Sequence, residues 1–437
     1  MENNKKLQKI DKELLQRVLN VFECSYDLTT DSRKVKQGSI FVALKGDNFD
    51  GNAFASKALE QGASLVIIDN ETYYQNDKTI LVADSLVFLQ KFANYYRKTF
   101  SIPFLAISGT NGKTTTKELV NAVLGTKFKV SATIGNLNNQ IGVPLTLLNI
   151  KRDTDVAVVE MGASRLKDIE FLCEIAEPTC GLLTNVGTAH IEGFGSLQGV
   201  VQTKTELYRF LNGVNGKVFV NNDDENLFSQ EVKNKTTYAL RKDAEVKASF
   251  SNLESPFAEI ELEDNVIKSN LIGSYNAYNI LAAISVGKYF GVSMENMKQA
   301  IESYKPENHR SEIKETQKNT LILDCYNANA SSCRFALNAF NNIKADDKRV
   351  YIGAMKELGS VSEQEHKAIA DIIKSMNLKQ AIFVGEEYKV FATGENIYWF
   401  ATSDEAKAFV EKENVSKAFI LIKGSRATQM EKLADVL

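Results

Sequence analysis

Apolar residues in this chain gather into short runs that alternate with longer stretches of helical spacing. Runs at 39–44, 64–68 and 79–82 predict strands, and the amphipathic stretch 86–98 predicts a helix that closes a first, small α/β unit. Ser101-Ile102-Pro103 then reads as a linker, since proline disfavours helix in the residue before it. From Pro103 the runs at 104–107, 155–159, 181–184 and 217–220 are apolar almost throughout, which predicts a parallel sheet covered on both faces. The pattern changes over 244–272, where alternation such as Ala258-Glu259-Ile260-Glu261-Leu262 predicts antiparallel strands, and a helix is expected over 276–289. A polar stretch containing Pro306 ends this part, and 320–324, 349–352, 381–384 and 418–422 repeat the α/β rhythm. Three units are expected, over 1–100, 101–306 and 307–437. In the last, each strand runs into a polar or glycine-rich segment, where open α/β sheets bind ligands.

The first such junction of the second unit is the most specific. After Phe104-Leu105-Ala106-Ile107 come Gly109-Thr110-Asn111-Gly112-Lys113-Thr114-Thr115, then a helical pattern with Leu119, Val123 and Leu124 on one side. Strand, glycine loop and helix form the setting of a phosphate-binding loop. Backbone amides and the helix N-terminus cradle phosphates, Lys113 neutralises them, and the hydroxyl of Thr114 holds Mg²⁺. Only Thr110 and Asn111 separate the two glycines, where the common loop has four residues between them. ATP is the expected ligand.

Glu160 ends the run Val156-Ala157-Val158-Val159, where a carboxylate would hold Mg²⁺ beside ATP; the lesser alternative for such a residue, taken singly, is to cap a following helix. Thr184-Asn185-Val186-Gly187-Thr188-Ala189-His190 ends the next run, and a lone histidine such as His190 is more often structural than a ligand.

Composition narrows the setting. The chain has 437 residues, 44% hydrophobic and 24% charged, with a net charge of −3, so no basic excess exists to bind nucleic acid. No apolar run is long enough to span a bilayer, and no secretory leader is visible at the start. Five scattered cysteines without a C-x-x-C pair predict reduced, buried thiols and a cytoplasmic setting.

The short Gly-Thr-Asn-Gly-Lys loop resembles that of the ATP-dependent Mur ligases and their folylpolyglutamate and cyanophycin synthetase relatives. Thr184-Asn185-x-Gly187-x-x-His190 with Phe194-Gly195-Ser196 and Lys204 resembles the Mur ligase central domain. The resemblance implies that His190 binds a second Mg²⁺ and that Lys204, carbamylated in several members, is a further ligand. An ammonium beside two metal ions would be repelled, so Lys204 is expected to be neutral, turned away, or an anionic carbamate, with ordinary pairing to phosphate or near Glu206 as the alternative. Asp31-Ser32-Arg33, the segment 38–46 with Lys45, and Asp50-Gly51 resemble the UDP-sugar-binding first domain, which implies Ser32, Arg33 and Lys45 as substrate contacts. The segment 135–148 and Asp324-Cys325-Tyr326-Asn327-Ala328-Asn329 are similar to the branch that adds D-alanyl-D-alanine, implying Asn138, Asn139, Tyr326 and Asn327. Gly353-Ala354-Met355-Lys356-Glu357-Leu358-Gly359 with His366, and Lys423-Gly424-Ser425-Arg426, also match, the latter implying Arg426. Gly273-Ser274-Tyr275-Asn276-Ala277-Tyr278-Asn279 resembles the segment near adenine, implying Asn276 and Asn279, and Arg310 and Asp324 are implied at the ATP site. Tyr275, Ala330 and Asn52 depart from the usual histidine, proline and histidine.

The implied architecture is α/β in three domains: a small N-terminal α/β domain, a central P-loop parallel-sheet ATPase domain and a C-terminal Rossmann-like domain. The implied reaction joins the terminal carboxylate of UDP-N-acetylmuramoyl-tripeptide to the amine of D-Ala-D-Ala, with ATP and Mg²⁺, in a monomer. A folylpolyglutamate-type synthetase, or a nucleotide-binding protein without catalysis, remain the alternatives.

Overall fold

The computed structural model describes residues 7–187, 194, 196–307, 309–356 and 358–437. It opens with a helix missing from the expectations above, α1 (Lys12–Ser25), whose apolar stripe begins inside a polar, mixed-charge segment. Asp11 caps it through the Leu14 amide at 3.1 Å, and Leu14, Leu15, Val18, Leu19 and Phe22 are buried. The first sheet is parallel, in the order β1 (Leu28–Thr29), β2 (Ile40–Val42), β5 (Leu65–Ile68), β6 (Thr79–Leu81), with a hairpin of β3 (Lys45–Gly46) and β4 (Phe49–Asp50) after β2. Helix α2 (Ala55–Glu60) packs on one face; α1 and α3 (Ser85–Arg97) pack on the other.

The second sheet is also wholly parallel. Its strands are β7 (Phe104–Ser108), β8 (Val130–Ala132), β9 (Val156–Glu160), β10 (Cys180–Leu183), β11 (Lys217–Asn221), β12 (Lys235–Ala239) and β13 (Val246–Lys247), in the order β13-β12-β11-β10-β7-β9-β8. On one face α4 (Lys113–Gly125) packs beside the helix Asn276–Tyr289, burying Leu119, Val120, Val123 and Leu124 against Ile280 and Ile284. On the other face lie α5 (Gly142–Leu148) and α6 (Asp168–Ala176). The alternating stretch forms an antiparallel sheet of β14 (Ser249–Phe250), β15 (Phe257–Leu262) and β16 (Asn265–Ile272), as its period predicts.

Helix α3 does more than close the first unit, because its other flank is shared with the second. Arg97 donates through Nε to Ala176 O at 2.8 Å, through Nη2 to Glu177 O at 2.7 Å and through Nη1 to Phe100 O at 3.3 Å. Its guanidinium stacks 3.8 Å from the centre of the Phe104 ring. Asn94 reaches Ile175 O at 3.0 Å and Tyr96 Oη reaches Ile150 O at 2.7 Å. One continuous apolar cluster therefore runs from α1 through α3 to α5 and α6.

The third sheet has the order β17-β18-β22-β19-β20-β21, from Glu312–Glu315, Thr320–Asp324, Phe419–Lys423, Lys348–Gly353, Gln380–Val384 and Ile397–Phe400 respectively. Only the edge strand β17 is antiparallel. Helices Ala330–Asn341 and Ser362–Ser375 cover one face, and Ser403–Glu413 with the C-terminal turns covers the other. The architecture is the α/β arrangement that the strand rhythm and the resemblance imply.

Candidate functional site

Site residues collect at the C-terminal ends of parallel strands, where the chain leaves a sheet and backbone amides are unpaired. The loop after β7 is shaped by two glycines. Gly109, at φ 132°, passes so close to β10 that a Cβ there would lie 2.1 Å from Thr184 Oγ1. Gly112, at φ 78°, caps α4 in the left-handed region, and a Cβ would lie 2.6 Å from Asn279 Oδ1. The loop is braced by β10: Thr110 N donates to Asn185 O at 2.9 Å, Asn111 N to Asn185 Oδ1 at 3.0 Å, and Thr184 Oγ1 to Asn111 O at 2.6 Å. Lys113 curls back, its ammonium donating to Gly109 O at 2.9 Å and Thr110 O at 3.0 Å. Burial lowers its pKa; Glu160 opposes the shift, and Arg310 adds to it.

Glu160 is 1% exposed and fully engaged. Thr114 Oγ1 donates to Oε2 at 2.9 Å, Asn138 Nδ2 to Oε1 at 2.8 Å, and its own amide donates to Thr133 Oγ1 at 2.9 Å. A hydroxyl and a carboxylate at the mouth of a phosphate loop are the hard oxygen donors that Mg²⁺ takes, with phosphate and water completing its shell. The donor set fits the ion, although among the described residues no group of three or more His, Cys, Asp and Glu side chains gathers to hold a metal. His190 lies outside the described residues, as do Gly195 and Glu357. Lys204 is 2% exposed, with Nζ 5.6 Å from the centre of the Phe194 ring. Burial pulls its pKa well below the usual lysine range, the charge of Lys113 pulls further, and Asp168 and Glu206 oppose. Glu206 accepts the Lys167 and Glu170 amides at 3.0 and 2.9 Å.

A cavity of about 1260 Å³ joins these residues to the third unit. Thr110 to Thr115, Asn138, Asn139, Glu160, Asn276 and Asn279 line it from the second unit; Arg310, Asp324, Tyr326 and Asn327 line it from the third. Asn279 accepts Thr116 Oγ1 at 3.1 Å and donates to Asn276 Oδ1 at 2.7 Å, which ties the helix Asn276–Tyr289 to α4. Arg310 lies over the Tyr326 ring, 3.6 Å from its centre. Tyr275, in the histidine position, stacks on Phe335 of the third unit with ring centres 5.3 Å apart. Asp324 pairs with the buried Lys423 at 2.5 Å. Burial alone would lower the lysine's pKa, but the Asp324 carboxylate more than offsets this and the net shift is upward.

The phosphate loop touches the third unit directly. Asn111 Nδ2 donates to Ser331 Oγ at 2.8 Å, and Asn329 Nδ2 donates to Asn111 Oδ1 at 2.9 Å. Asn329 is also the N-cap of the helix Ala330–Asn341, so the cap and the docking contact are one residue. Sequence reasoning gave Asn329 and Ser331 no role; the hydroxyl- and amide-rich segment after β18 was the available signal. Ala330, in the proline position, is an ordinary buried first residue of that helix.

Two of the residues that line the cavity spend their side chains locally, and other predicted residues stand apart from it. Asn139 spends its side-chain oxygen on the Ile141 and Gly142 amides at 3.1 and 2.9 Å, and Asn327 accepts the Ala328 amide at 2.9 Å. Ser32, Arg33 and Lys45 do not line the cavity; Ser32 and Arg33 follow β1 and Lys45 follows β2. Exposed Arg33 makes a fork to Asp31 at 2.9 and 2.8 Å, which with the Arg33 backbone amide holds that carboxyl below its usual range. Lys45 pairs with Asp69 at 2.8 Å, and buried Asn52 also donates to Asp69, at 2.8 Å. Arg426 is exposed on a short turn and does not line the cavity. His366 is wholly buried: its Nδ1 meets Ser362 O at 2.7 Å and its Nε2 accepts the Met355 amide at 3.0 Å, so it holds the turn after β19.

Three family models match the chain in succession: "Mur ligase family, catalytic domain" over 26–105, "Mur ligase middle domain" over 107–287, and "Mur ligase, glutamate ligase domain" over 309–426. The chain is 31% identical to a UDP-N-acetylmuramoyl-tripeptide–D-alanyl-D-alanine ligase of Bacillus subtilis, covering 94% of this chain and 93% of the relative. It is 32% identical to the ligase of the same name in Haemophilus influenzae, covering 92% of each. Among solved structures, MurF ligase from Thermotoga maritima in complex with ADP superposes with a TM-score of 0.82 at 28% identity, covering 94% of this chain and 96% of that one. MurF from Acinetobacter baumannii gives 0.81 at 28% identity, covering 94% and 93%. With all three units matched in order and near-complete coverage of the relatives, the chain belongs to the Mur ligase family.

Proposed function

We propose that this protein is an ATP-dependent amide ligase that adds D-Ala-D-Ala to UDP-N-acetylmuramoyl-tripeptide, a step of peptidoglycan precursor synthesis. The observation that carries it is the single cavity in which a phosphate loop, a buried strand-end carboxylate and the polar rim of the third unit face one another. The ligases it resembles in Bacillus subtilis and Haemophilus influenzae carry this reaction in their names, and the Thermotoga relative holds ADP.

A carboxylate is a resonance-stabilised anion that an amine does not attack. In the proposed reaction a carboxylate oxygen of the tripeptide attacks the γ-phosphorus of ATP, the bond to the bridging oxygen breaks, and ADP leaves. The dipeptide amine then adds to the acyl phosphate carbon, phosphate departs with the former carboxylate oxygen, and the amine loses a proton. The protein positions and neutralises charge. Amides of residues 109–115 and Lys113 gather the phosphates, and Arg310 adds a second cation from the third unit. Asn276 and Asn279 frame the nucleoside end. Thr114 and Glu160 would hold Mg²⁺, with His190 and a carbamylated Lys204 as further ligands; bound there, the metal would supply charge neutralisation for the transferring phosphoryl group. Burial favours the neutral amine at Lys204, the form that adds CO₂.

The labour divides among three units, 1–100, 101–306 and 307–437. Ser32, Arg33 and Lys45 take the UDP-sugar, Asn138 and Asn139 the peptide, and Tyr326, Asn327 and Arg426 the dipeptide. One chain supplies every part, so a monomer suffices, and the substrates place the reaction in the cytoplasm; no described helix is long and apolar enough to cross a membrane. An acceptor screen tests the reading. Phosphate release from ATP with the UDP-tripeptide should require a D,D-dipeptide, and equal release with L-Ala-L-Ala, with glutamate or with no acceptor would overturn it.

A further inference from the structure

Lys117 is a fully buried cation that the reaction above does not use. It lies one turn beyond Lys113 on α4, wholly enclosed, where an unpaired ammonium would be costly. Its Nζ donates to Thr133 O at 2.5 Å and meets Glu118 Oε1 at 2.8 Å. Thr133 follows β8, and its hydroxyl accepts the Glu160 amide at 2.9 Å, while its own amide donates to Val158 O at 2.9 Å. Glu160 in turn accepts Thr114 Oγ1 at 2.9 Å, and Thr114 stands three residues before Lys117 on the same helix. The contacts close a ring: Lys117, Thr133, Glu160, Thr114, and back along α4.

We propose that Lys117 is a positioning residue for Glu160, fixing the rotation of α4 against the ends of β8 and β9 so that Thr114 and Glu160 present their oxygens together. The inference rests on the reading of those two residues as the Mg²⁺ pair. Apolar packing of Leu119, Val120 and Val123 holds α4 against β8 and β9, but it is not directional; beside the hydrogen bond between Thr114 and Glu160, a second polar tie one turn away fixes the helix's rotation at the strand ends. The lysine's long stem suits the task, since it crosses from helix to strand end without bringing water. Thr133 links the two ties because its carbonyl and its hydroxyl serve different partners.

The test is magnesium-linked ADP binding, measured by calorimetry on the full chain across Mg²⁺ concentrations, for Lys117→Met, Thr133→Val and the double variant. Lys117→Met keeps most of the stem volume and deletes the tie to Thr133; Thr133→Val deletes only the hydroxyl that holds the Glu160 amide. Each single variant should raise the Mg²⁺ needed for half-maximal tightening of ADP about tenfold while leaving magnesium-free ADP affinity within about threefold of wild type. The double variant should be no worse than the poorer single, because both act through one ring. Deuterium uptake by the peptide spanning 156–161 should quicken in Lys117→Met, a readout independent of turnover. If Lys117→Met does not fold, the Thr133→Val prediction stands by itself. Magnesium dependence within twofold of wild type in the folded single variants, or additive losses in the double, would overturn the proposal. A wild-type protein whose ADP binding ignores Mg²⁺ would instead remove the functional reading beneath it.

Discussion

At the scale of single residues, the site is a set of charges whose partners decide what each can do. Lys113 folds onto two carbonyls of its own loop, so those contacts are exchangeable for phosphate oxygens without rearranging the helix behind it. Lys113→Ala should therefore lower ATP turnover at least about 10²–10³-fold with the melting temperature nearly unchanged, and wild-type rates would remove the nucleotide assignment. Glu160→Gln keeps volume but loses charge, and should raise the Mg²⁺ requirement of turnover sharply; an unchanged requirement would make Glu160 a structural residue only. His366 gives a pH signature. Burial lowers its pKa below 6.5, so the folded protein holds it neutral while the unfolded chain protonates near that value. The folded state then binds fewer protons, and the stabilisation is complete above about pH 6.5 and declines as pH falls through and below it. The midpoint of thermal unfolding should fall between pH 7 and pH 5 more steeply in wild type than in His366→Phe, and parallel slopes would refute the assignment.

At the scale of elements, the apolar pattern made most strands and both phosphate-side helices legible, because a buried parallel strand is apolar along its whole length. The helix Asn276–Tyr289 appears with the predicted limits, and the loop motif at 109–115 sits between its strand and helix as expected. The edge strands β8, β17 and β21, and β12 next to an edge, were not legible, because they bury only part of each strand or alternate weakly. Partnership was also invisible. Nothing in the spacing of 86–98 says that its second flank belongs to another unit, and nothing around Lys117 says that it answers Thr133. The carboxylates and amides of the site were found one by one from motifs, whereas the contact of Asn111 with Asn329 and Ser331 needed the fold. The weight on α3 is measurable. Arg97→Met would leave the Ala176 and Glu177 carbonyls without their donors, and should destabilise the first unfolding transition by about 2–4 kcal/mol; a loss under about 0.5 kcal/mol would show that the first two units are joined by apolar packing alone.

At the scale of the molecule, the first two units share a core and the third meets the phosphate loop through a few polar contacts. The third unit meets Asn111 through Asn329 and Ser331, and as the unit outside the shared core it is the one expected to move during turnover. Ser331→Ala removes the hydrogen bond from Asn111, worth about 1 kcal/mol, together with the one Ser331 donates to Asn329 Oδ1 at 2.8 Å, so the KM for the dipeptide should rise at least roughly fivefold with ADP affinity unchanged; an equal loss of ADP affinity would place the contact in nucleotide binding. If ATP activates the peptide carboxylate itself, a carboxylate oxygen must leave with the phosphate. UDP-N-acetylmuramoyl-tripeptide carrying ¹⁸O in both oxygens of its reacting carboxylate should, with unlabelled ATP and D-Ala-D-Ala, yield phosphate containing one ¹⁸O atom per amide formed, read by mass spectrometry. Phosphate without label, its new oxygen drawn from solvent water, would mean that ATP is hydrolysed without activating the carboxylate.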